Sequence, residues 1–410
     1  MGQKKIVVAM SGGVDSSVAA ALLKEQGYDV IGVTLKTRNW DDTEGRKFGG
    51  CCGSSDFYDA RSVAQALDIP HYNFDYVNEF RGSVISYFKD SYMKAETPNP
   101  CIACNQYVKF DRLLHHAQAL GADLLATGHY ARVERHDGPP TTTSGVTVKT
   151  PSGTTAESSS PQASGGDPSF VLKKAVDLSK DQSYVLYHLG QEQLSRVRFP
   201  VGEFSKPEIR EIARKYGLIT ADKPDSQEIC FVPNNDYRGF IASEIPQEER
   251  PAGPIRYKDG TLLGQHQGLP FYTVGQRGGL GLAVGRPLYV MALQRESNTL
   301  VVGEKADVFA DSLEIREVSW VSGAAPVLPR SVSVKIRYKH TEARAVLMDP
   351  RQGRSATEPL ADANAVVASG MTTIKAVFEQ PQSAVTPGQA AVFYEGDVVL
   401  GGGVIDHVID

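Results

Sequence analysis

The stretch AMSGGVDSSVAAALLKEQGYDV, residues 9–30, decides how the N-terminal part of the chain folds. It continues the short apolar run KKIVVAM, residues 4–10, which predicts a buried strand. Gly12 and Gly13 then allow a tight turn and a close approach of the backbone to a ligand. The residues that follow predict a helix, whose unpaired N–H groups and positive dipole end face the turn. Such a junction binds anions, and phosphate is the usual occupant.

Strand-like and helix-like segments alternate from residue 4 to residue 130. This alternation predicts an α/β class fold, a doubly wound domain with a largely parallel sheet. Ligands of such sheets bind beyond the carboxyl ends of the strands. Residues 11–16 and 127–130 both follow predicted strands, so we expect them to line one site.

The composition changes twice further along the chain. Residues 137–169 are rich in Ser, Thr, Gly and Pro and predict a disordered insert at the tip of a β-hairpin. Short alternating strands after residue 285 predict a small antiparallel β-barrel. The predicted domains are therefore 1–205 with the α/β fold, 206–284 as a small connecting domain, and 285–410 as the C-terminal β-barrel.

The overall composition is that of an ordinary globular protein of 410 residues with a net charge of −5. We expect a cytoplasmic protein without a membrane partner, because the sequence has neither a long apolar run nor a targeting pattern. A nucleic-acid partner would need a local basic surface. The five cysteines are an odd number, which favours catalytic or metal-binding thiols over a disulfide framework.

The loop S-G-G-V-D-S, residues 11–16, lacks the lysine of the common P-loop. It resembles the pyrophosphate loop of ATP pyrophosphatases, and residues 9–16 are called the PP-loop below. Further motifs are TPNPCIACNQYVKF (97–110), ATGHY (126–130), KDQSY (180–184), DSQEICF (225–231) and VTPGQAAVFY (385–394). Together they resemble the tRNA-specific 2-thiouridylase family over nearly the whole chain except the insert.

The resemblance implies a two-step reaction. ATP adenylates the C2 oxygen of the wobble uridine of tRNA, and sulfur delivered as a cysteine persulfide then displaces AMP. It implies that Cys230 holds the persulfide, that Cys104 is the nucleophile, and that the two form a transient disulfide. The implied substrates and partners are ATP, tRNA and a protein that donates persulfide sulfur. Asp15 is predicted either to cap the following helix or to help place Mg²⁺.

The resemblance also implies binding residues by position. Those expected to bind ATP are Ala9, Met10, Ser11, Gly12, Gly13, Val14, Asp15, Ser16, Leu35 and Gly128. Those expected to contact tRNA are Asn99, Pro100, Cys101, His129, Lys180, Asp181, Gln182, Arg337, Tyr338 and Gln389.

Cys101 departs from the family pattern, which usually has Asp at this position. It creates the spacing Cys101-x-x-Cys104. With the distant Cys230, these thiols would also suit zinc or an iron–sulfur cluster that keeps one coordination site open. Persulfide chemistry and a cluster thus both remain open, with persulfide chemistry favoured. Cys51 and Cys52 have no predicted role.

The stretch SVSVKIRYK, residues 331–339, predicts a barrel strand with one apolar and one basic face. A row of cations on one face suits contacts with phosphates, although a solvated charged face explains the same alternation. Two other functions compete with tRNA thiolation. A small-molecule ligase would need residues 11–16 but not the distant cysteines, and a non-enzymatic RNA-binding module would leave that loop without a task.

Overall fold

The computed structural model describes residues 3–39, 54–136, 169–225, 229–351 and 373–409. Cys51 and Cys52 lie outside these ranges, and so does the predicted insert apart from its last residue. None of the helices in the described ranges has the length and apolar character that a membrane span requires.

The strands, in chain order, are β1 (Lys5–Ala9), β2 (Asp29–Lys36), β3 (His71–Asp75), β4 (Leu124–Thr127), β5 (Ala131–His136), β6 (Ser169–Lys174), β7 (Val197–Arg198), β8 (Gly253–Tyr257), β9 (Leu262–His266), β10 (Tyr289–Gln294), β11 (Thr299–Gly303), β12 (Phe309–Trp320), β13 (Arg330–Lys335), β14 (Ala343–Met348), β15 (Thr373–Ser383), β16 (Ala390–Glu395) and β17 (Val398–Ile409). The α-helices are α1 (Val14–Glu25), α2 (Ser54–Ala66), α3 (Val77–Phe80), α4 (Ser86–Met93), α5 (Pro100–Ala103), α6 (Leu114–Ala119), α7 (Gln191–Arg196), α8 (Lys206–Lys215) and α9 (Tyr237–Glu244). Wider helical turns, Arg81–Ile85 and Cys104–Leu113, join α3 to α4 and α5 to α6. Short 3₁₀ segments are Ser183–Leu186, Pro200–Glu203, Gln247–Glu249, Leu269–Phe271 and Lys305–Val308.

The first sheet has five parallel strands in the order β3-β2-β1-β4-β7. The strand order reverses between β1 and β4, and ligands of doubly wound sheets bind at such a switch point. The carboxyl ends of these two strands are Ala9 and Thr127, which pair in register. The PP-loop and the segment 128–130 therefore meet at one edge of the sheet. The predicted α/β class is confirmed.

Both faces of this sheet are buried, because side chains of a strand alternate between the two faces. Ile6 and Val8 of β1 belong to a hydrophobic cluster that also contains Val18 of α1 and Ile209 of α8. Val7 belongs to a second cluster on the other face. Helix α8 begins at the predicted boundary at residue 206 and packs against α1, so its apolar face helps to cover this sheet. The parallel sheet and the helices that cover it are called the PP-loop domain below.

The connecting part of the chain forms a four-stranded sheet in the order β10-β11-β8-β9. Strands β8 and β11 pair in parallel, and the two outer pairs are antiparallel. This sheet joins strands on both sides of the predicted boundary at residue 285. Its apolar side chains, which include Ile255, Val290 and Leu300, are fully buried.

Six antiparallel strands close into a barrel in the order β12-β15-β14-β13-β16-β17, with β17 pairing back to β12. Leu313, Val334 and Phe393 are fully buried inside it. The predicted C-terminal barrel is confirmed, and β12 is a strand that sequence analysis did not assign. Its pattern breaks where the pairing of β12 with β17 shifts between Arg316 and Ser319.

The barrel is joined to the PP-loop domain by the hairpin β5–β6, which confirms the predicted hairpin. Strand β6 pairs with β17, so the barrel sheet continues into the first domain. Asp397 of the barrel receives charged hydrogen bonds from Arg132 over 2.8 Å and Lys173 over 3.1 Å. A Cβ on Gly402 would lie 2.9 Å from the ring of Tyr187, so glycine permits this close packing. These contacts fix the barrel against the face that carries the candidate site.

Candidate active site

The PP-loop folds as a tight turn in which two serines face each other. The amide of Ser11 donates to Oγ of Ser16 over 3.1 Å, and the two hydroxyl oxygens lie 3.2 Å apart. Gly12 has a φ of +71°, and a Cβ at this position would collide with the backbone of Asp56. Glycine is therefore required here both by conformation and by space.

Asp15 does not cap helix α1, which was one of its two predicted roles. Gly13 is the N-cap of α1 and no side chain caps the helix, so the prediction that Asp15 is the cap is wrong. Its carboxylate instead accepts hydrogen bonds from the hydroxyl of Tyr130 at 2.7 Å and from Nζ of Lys206 at 2.7 and 2.8 Å. These bonds tie the PP-loop to the segment after β4 and to the start of α8.

The segment after β4 approaches the PP-loop so closely that Gly128 has no room for a side chain. A Cβ there would lie 2.6 Å from the backbone nitrogen of Ser16 and 2.7 Å from the carbonyl carbon of Asp15. Leu35 lies near the carboxyl end of β2, which pairs with β1. The residues predicted to bind ATP thus share one edge of the sheet, and their contact with ATP stays a prediction.

Lys206 is a buried cation beside the PP-loop. Only 8% of the residue is exposed, and its Nζ is shared between Asp15 and Asp225, with Asp225 at 2.8 Å. The amine also lies 5.6 Å from the ring centre of Tyr130. Because a buried charge needs partners, these two carboxylates account for the burial of Lys206.

Asp225 gathers three cations. Its carboxylate pairs with Lys180 at 2.8 Å, Lys206 at 2.8 Å and Arg210 at 3.2 Å. Burial acts to raise the pKa of Asp225, but the hydrogen bonds from Lys180 and Lys206 outweigh it and lower the pKa. Asp225 is therefore ionised at neutral pH and holds these cations together.

Lys223 is a second cation at the PP-loop. Its Nζ donates to the carbonyl oxygen of Gly12 over 2.9 Å and pairs with Asp56 at 2.7 Å and Asp59 at 2.5 Å. Burial acts to lower the pKa of Lys223, but the two carboxylates outweigh it and raise the pKa. The residue stays charged beside the turn where a phosphate would bind.

Lys206, Lys223 and Asp225 have no role predicted from the sequence motifs. Asp225 could have been singled out because it is the first residue of the motif DSQEICF, but only the cysteine of that motif was predicted to act in the reaction. Lys206 gives no such signal, because it stands in the first turn of an amphipathic helix, where lysines usually face solvent. Its role depends on an aspartate 191 positions away in the chain.

Cys101 and Cys104 lie in one helical stretch that begins after Asn99. The Asn99 side chain accepts a hydrogen bond from the Cys101 amide over 3.1 Å, and Pro100 occupies the first helical position, where it is favoured. Cys101 is exposed and Cys104 is half-buried. The side chain of Asn105 donates to the carbonyl of Val185, which fixes this helix against the segment after Gln182.

Cys230 lies in a turn, so the prediction that it stands on a short strand is wrong. The apolar run ICFV packs through its aromatic ring instead: Phe231 makes edge-to-face contacts with Phe80 and Phe88 at 5.7 and 5.2 Å between ring centres. Arg38, three residues beyond Leu35, donates to the Cys230 carbonyl over 2.6 Å. Cys230 is therefore held near the carboxyl end of β2.

The structure does not show the disulfide predicted between Cys104 and Cys230, and that pairing stays a prediction. Within the described ranges, no three side chains of the types His, Cys, Asp and Glu are grouped so that they could hold a metal ion. Cys101, Cys104 and Cys230 therefore do not form a ligand set in this conformation.

The loop of Gln389 connects the barrel to the segment before Cys101. The Gln389 side chain donates to the carbonyls of Thr97 at 2.9 Å and Pro98 at 3.3 Å. The Thr97 amide donates to the carbonyl of Pro387 over 2.8 Å. Gln389 thus lies directly against the segment that contains Asn99, Pro100 and Cys101, and all four residues are predicted to contact tRNA.

Tyr338 lies within electrostatic range of Asp181 and Cys101, two other predicted tRNA contacts. Burial, followed by the charges of these two residues, raises the pKa of Tyr338 to about 12. Its ring centre lies 6.2 Å from that of Tyr184 and 5.7 Å from Nζ of Lys335. Tyr338 therefore packs beside Tyr184 and Lys335 just beyond the end of β13.

The predicted tRNA residues 180–182 make internal contacts in this structure. Lys180 pairs with Asp225, while buried Asp181 accepts hydrogen bonds from the amides of Ala175 and Ser183. The Gln182 side chain accepts from the Tyr130 amide over 3.0 Å. These bonds fix the segment beside the PP-loop, and its contact with tRNA stays a prediction.

His129 is buried beside the rings of Phe110 and Phe199. Burial, with a smaller contribution from Lys109, lowers its pKa well below the usual value, so the imidazole is neutral. Its Nδ1 lies 2.6 Å from Oγ1 of Thr127. The contact of His129 with tRNA stays a prediction.

The prediction of a strand over residues 331–339 with a basic face is wrong in two respects: the strand is shorter, and two of its three cations are partly buried. Strand β13 ends at Lys335, and Arg337 lies in the following turn, where it donates to the carbonyls of Ser383 and Ala384 at 3.1 and 3.2 Å. Burial lowers the pKa of Lys335, which packs against two tyrosines. Only Lys339 of these three cations is largely exposed.

Arg337 nevertheless lines two clefts. One, of about 460 Å³, lies between all three parts of the chain and contains Thr97, Tyr289 and Gln389. The other, of about 590 Å³, lies on the barrel and contains Lys339 and Arg344. The cleft between the three parts is lined by the cations Arg337 and Lys305, whereas the cleft on the barrel also contains the carboxylates of Glu342 and Glu379.

Three family models match successive parts of the chain. Residues 4–234 match the tRNA methyl transferase HUP domain, 238–304 the tRNA methyl transferase PRC-barrel domain, and 351–405 the aminomethyltransferase beta-barrel domain. A relative from Lachnoclostridium phytofermentans, the tRNA-specific 2-thiouridylase MnmA, is 45% identical and covers 98% of this chain and 99% of its own length. The chain belongs to the tRNA-specific 2-thiouridylase family.

Other members of the tRNA-specific 2-thiouridylase family agree over the same length. The MnmA proteins of Heliobacterium modesticaldum and Clostridium perfringens are 45% and 43% identical, and each match covers 100% of this chain. The matches cover 94% and 100% of those proteins. The family resemblance inferred from the motifs is therefore confirmed.

Proposed function

We propose that the chain is a tRNA-uridine 2-sulfurtransferase that uses ATP to activate the wobble uridine and then replaces its C2 oxygen with sulfur. The observation that carries this proposal is the position of two chemically different segments at one sheet edge. The PP-loop follows β1, and Cys230 is held by Arg38 just beyond β2. A small-molecule ligase would need the first segment but not the second.

The first half-reaction belongs to the PP-loop. Its amides, with Ser11 and Ser16, would hold phosphate oxygens, and Lys206 and Lys223 would offset the negative charge of the triphosphate. The uridine C2 oxygen attacks the α-phosphate and pyrophosphate leaves. The C2 oxygen, a poor leaving group by itself, now carries AMP and can leave with it. Asp15 offers the carboxylate oxygens that Mg²⁺ prefers, and the ion would offset charge on the phosphates.

The second half-reaction belongs to the cysteines. The terminal sulfur of a Cys230 persulfide attacks C2 and AMP leaves, which gives a nucleoside joined to Cys230 through an S–S bond. The Cys104 thiolate then attacks the Cys230 sulfur, breaks that bond and releases 2-thiouridine. The resulting Cys104–Cys230 disulfide needs two electrons from a thiol reductant, and the next sulfur comes from a persulfide-donor protein.

The tRNA would be held by residues of the PP-loop domain and of the barrel. Asn99, Pro100 and Cys101 lie against Gln389, and the cleft between the three parts of the chain opens beside Arg337. Contacts between Arg337 and tRNA phosphates would make tRNA binding weaker as the salt concentration rises. A net charge of −5 makes such a local surface necessary.

The test uses the purified chain, labelled ATP and a tRNA transcript with uridine at the wobble position. We expect pyrophosphate to form only with this tRNA, AMP to be released once a persulfide donor is present, and a matched transcript with cytidine at that position to give neither. Adding a persulfide donor should yield 2-thiouridine in the nucleoside digest. AMP release that depends on a small acceptor would support a ligase, and the absence of any ATP cleavage would support an RNA-binding module.

A further inference from the structure

An ion pair between Arg316 and Glu96 connects the barrel to the PP-loop domain. The Arg316 guanidinium donates to one carboxylate oxygen of Glu96 over 2.9 Å and to the other over 3.5 Å. Side-chain exposure is 29% for Arg316 and 23% for Glu96, so solvent screens the pair only in part. Glu96 lies between the end of α4 at Met93 and the start of α5 at Pro100. The barrel thus holds the chain just before the helical stretch 100–113.

The backbone of the barrel is irregular where Arg316 leaves it. The pairing of β12 with β17 shifts between Arg316 and Ser319. Glu317 has a φ of +54°, a conformation that residues other than glycine rarely adopt. Such a bulge changes the direction of a side chain, and here Arg316 contacts Glu96 while Asp406 of β17 holds the guanidinium at 3.3 Å. The strained position at Glu317 therefore accompanies a contact outside the barrel.

A second barrel contact lies on the next two residues of the same segment. The amide of Thr97 donates to the Pro387 carbonyl over 2.8 Å. The Gln389 side chain donates to the carbonyls of Thr97 and Pro98 at 2.9 and 3.3 Å. Gly388 has a φ of +88°, and a Cβ there would lie 2.8 Å from the Thr97 nitrogen, so this approach requires glycine. Arg316 and the loop 387–389 are together called the barrel clamp.

The barrel clamp ends where the helical stretch with the two cysteines begins. Asn99 follows Pro98 directly and is the N-cap of α5, since its side chain accepts a hydrogen bond from the Cys101 amide over 3.1 Å. Cys104 continues the same helical stretch, whose later part is fixed separately through Asn105. Because a hydrogen-bonded helical turn moves as a unit, releasing its first residue would change the direction in which Cys104 projects.

We propose that Arg316 is a positioning residue for sulfur transfer: through Glu96 it fixes the start of the helical stretch from which Cys104 attacks Cys230. This inference rests on the proposed function, in which the Cys104 thiolate must reach the Cys230 sulfur. Displacing a reacting group by about 1 Å can cost about 100-fold in rate. The barrel therefore has a task in the second half-reaction besides binding tRNA, and Gln389 serves the same task from the loop 387–389.

The first test follows a single turnover without free thiol. The chain is loaded with persulfide by cysteine and a cysteine desulfurase, and cysteine is then removed by desalting. Arg316→Ala should release pyrophosphate with tRNA at the unsubstituted rate but form 2-thiouridine about tenfold or more slowly. The tRNA should stay joined to Cys230 through the S–S bond, which a non-reducing gel detects. Dithiothreitol added afterwards should release 2-thiouridine, because an external thiol replaces Cys104, and Cys104→Ser is the positive control for this adduct.

The second test asks whether Arg316 acts through Glu96. Arg316→Lys should restore most of the rate of 2-thiouridine formation, because it keeps a cation beside the carboxylate. Glu96→Ala should reproduce the effect of Arg316→Ala, and the double variant should lose no more than either single variant, since all three remove one interaction. Arg330→Ala is the matched control, because it removes an arginine that pairs with Glu395 at 2.8 Å between two strands of the barrel. That variant should form 2-thiouridine at the unsubstituted rate.

The outcomes separate this inference from other roles of Arg316. Weaker tRNA binding with a smaller salt dependence and no adduct would make Arg316 an RNA contact and overturn the inference. Equal loss of pyrophosphate release and 2-thiouridine formation, with a lower melting temperature, would make the pair merely structural and overturn it as well. So would an Arg316→Ala variant that turns over at the unsubstituted rate. An unsubstituted chain that forms no 2-thiouridine would overturn the proposed function, and the inference with it.

Discussion

Gly128→Ala tests whether the approach of the segment after β4 to the PP-loop is essential. The added Cβ would lie 2.6 Å from the Ser16 nitrogen and 2.7 Å from the Asp15 carbonyl carbon. Ordinary contact between such atoms requires about 3.5 Å. The two segments must therefore separate by roughly 1 Å, because both partner atoms belong to the backbone and cannot turn aside.

A displacement of this size should reduce kcat/KM for tRNA-dependent AMP formation by about 100-fold, which corresponds to about 2.7 kcal/mol of transition-state stabilisation. Overpacking should also lower the free energy of unfolding by about 1–3 kcal/mol. The assays are AMP release from labelled ATP and thermal unfolding. Gly82→Ala is the matched control, because a Cβ there meets nothing within 4 Å. A Gly128→Ala variant with unchanged kcat/KM and melting temperature would refute the reasoning.

Three further predictions concern the cysteines, the PP-loop and the barrel. Cys104→Ser and Cys230→Ser should each stop 2-thiouridine formation while tRNA-dependent release of pyrophosphate still occurs, and Cys101→Ser should only slow 2-thiouridine formation. Nucleoside mass spectrometry checks this, and equal loss in all three with stoichiometric iron after anaerobic purification would favour the cluster. Asp15→Ala should abolish AMP release and retain tRNA binding in a filter assay; normal AMP release would contradict the role given to the PP-loop. Lys339→Ala should reduce the salt dependence of tRNA binding by about one unit of slope at an unchanged melting temperature, because its side chain is exposed. An unchanged slope would place the RNA surface elsewhere.

The fold was predictable because its signals are local. The apolar run of β1 and the amphipathic pattern of α8 each repeat with the period of their element, and the glycines of residues 12–13 mark the turn between strand and helix. The location of the switch point depends only on the strand order, and the alternation of strands and helices restricts the possible orders. The position of the PP-loop at the sheet edge is therefore predictable from the sequence alone.

The cations of the site were not predictable for the opposite reason. Lys206 and Asp15 are 191 positions apart, and Lys223 and Gly12 are 211 positions apart. Nothing in the sequence next to either lysine distinguishes it from a lysine in solvent. The prediction for Arg337 is wrong for the same reason, because the carbonyls that its side chain binds belong to Ser383 and Ala384, 46 and 47 positions away in the chain.

The charges around the PP-loop suggest how the site accepts a polyanion in a protein that is itself negative. In the part of the chain that the structure describes, four cations there are matched by four carboxylates: Lys180, Lys206, Arg210 and Lys223 against Asp15, Asp56, Asp59 and Asp225. The carboxylates keep the amines near the loop, so that a triphosphate meets cations whose side chains are already ordered. The same carboxylates would repel the phosphates unless their own charge is offset, and Mg²⁺ at Asp15 would do this.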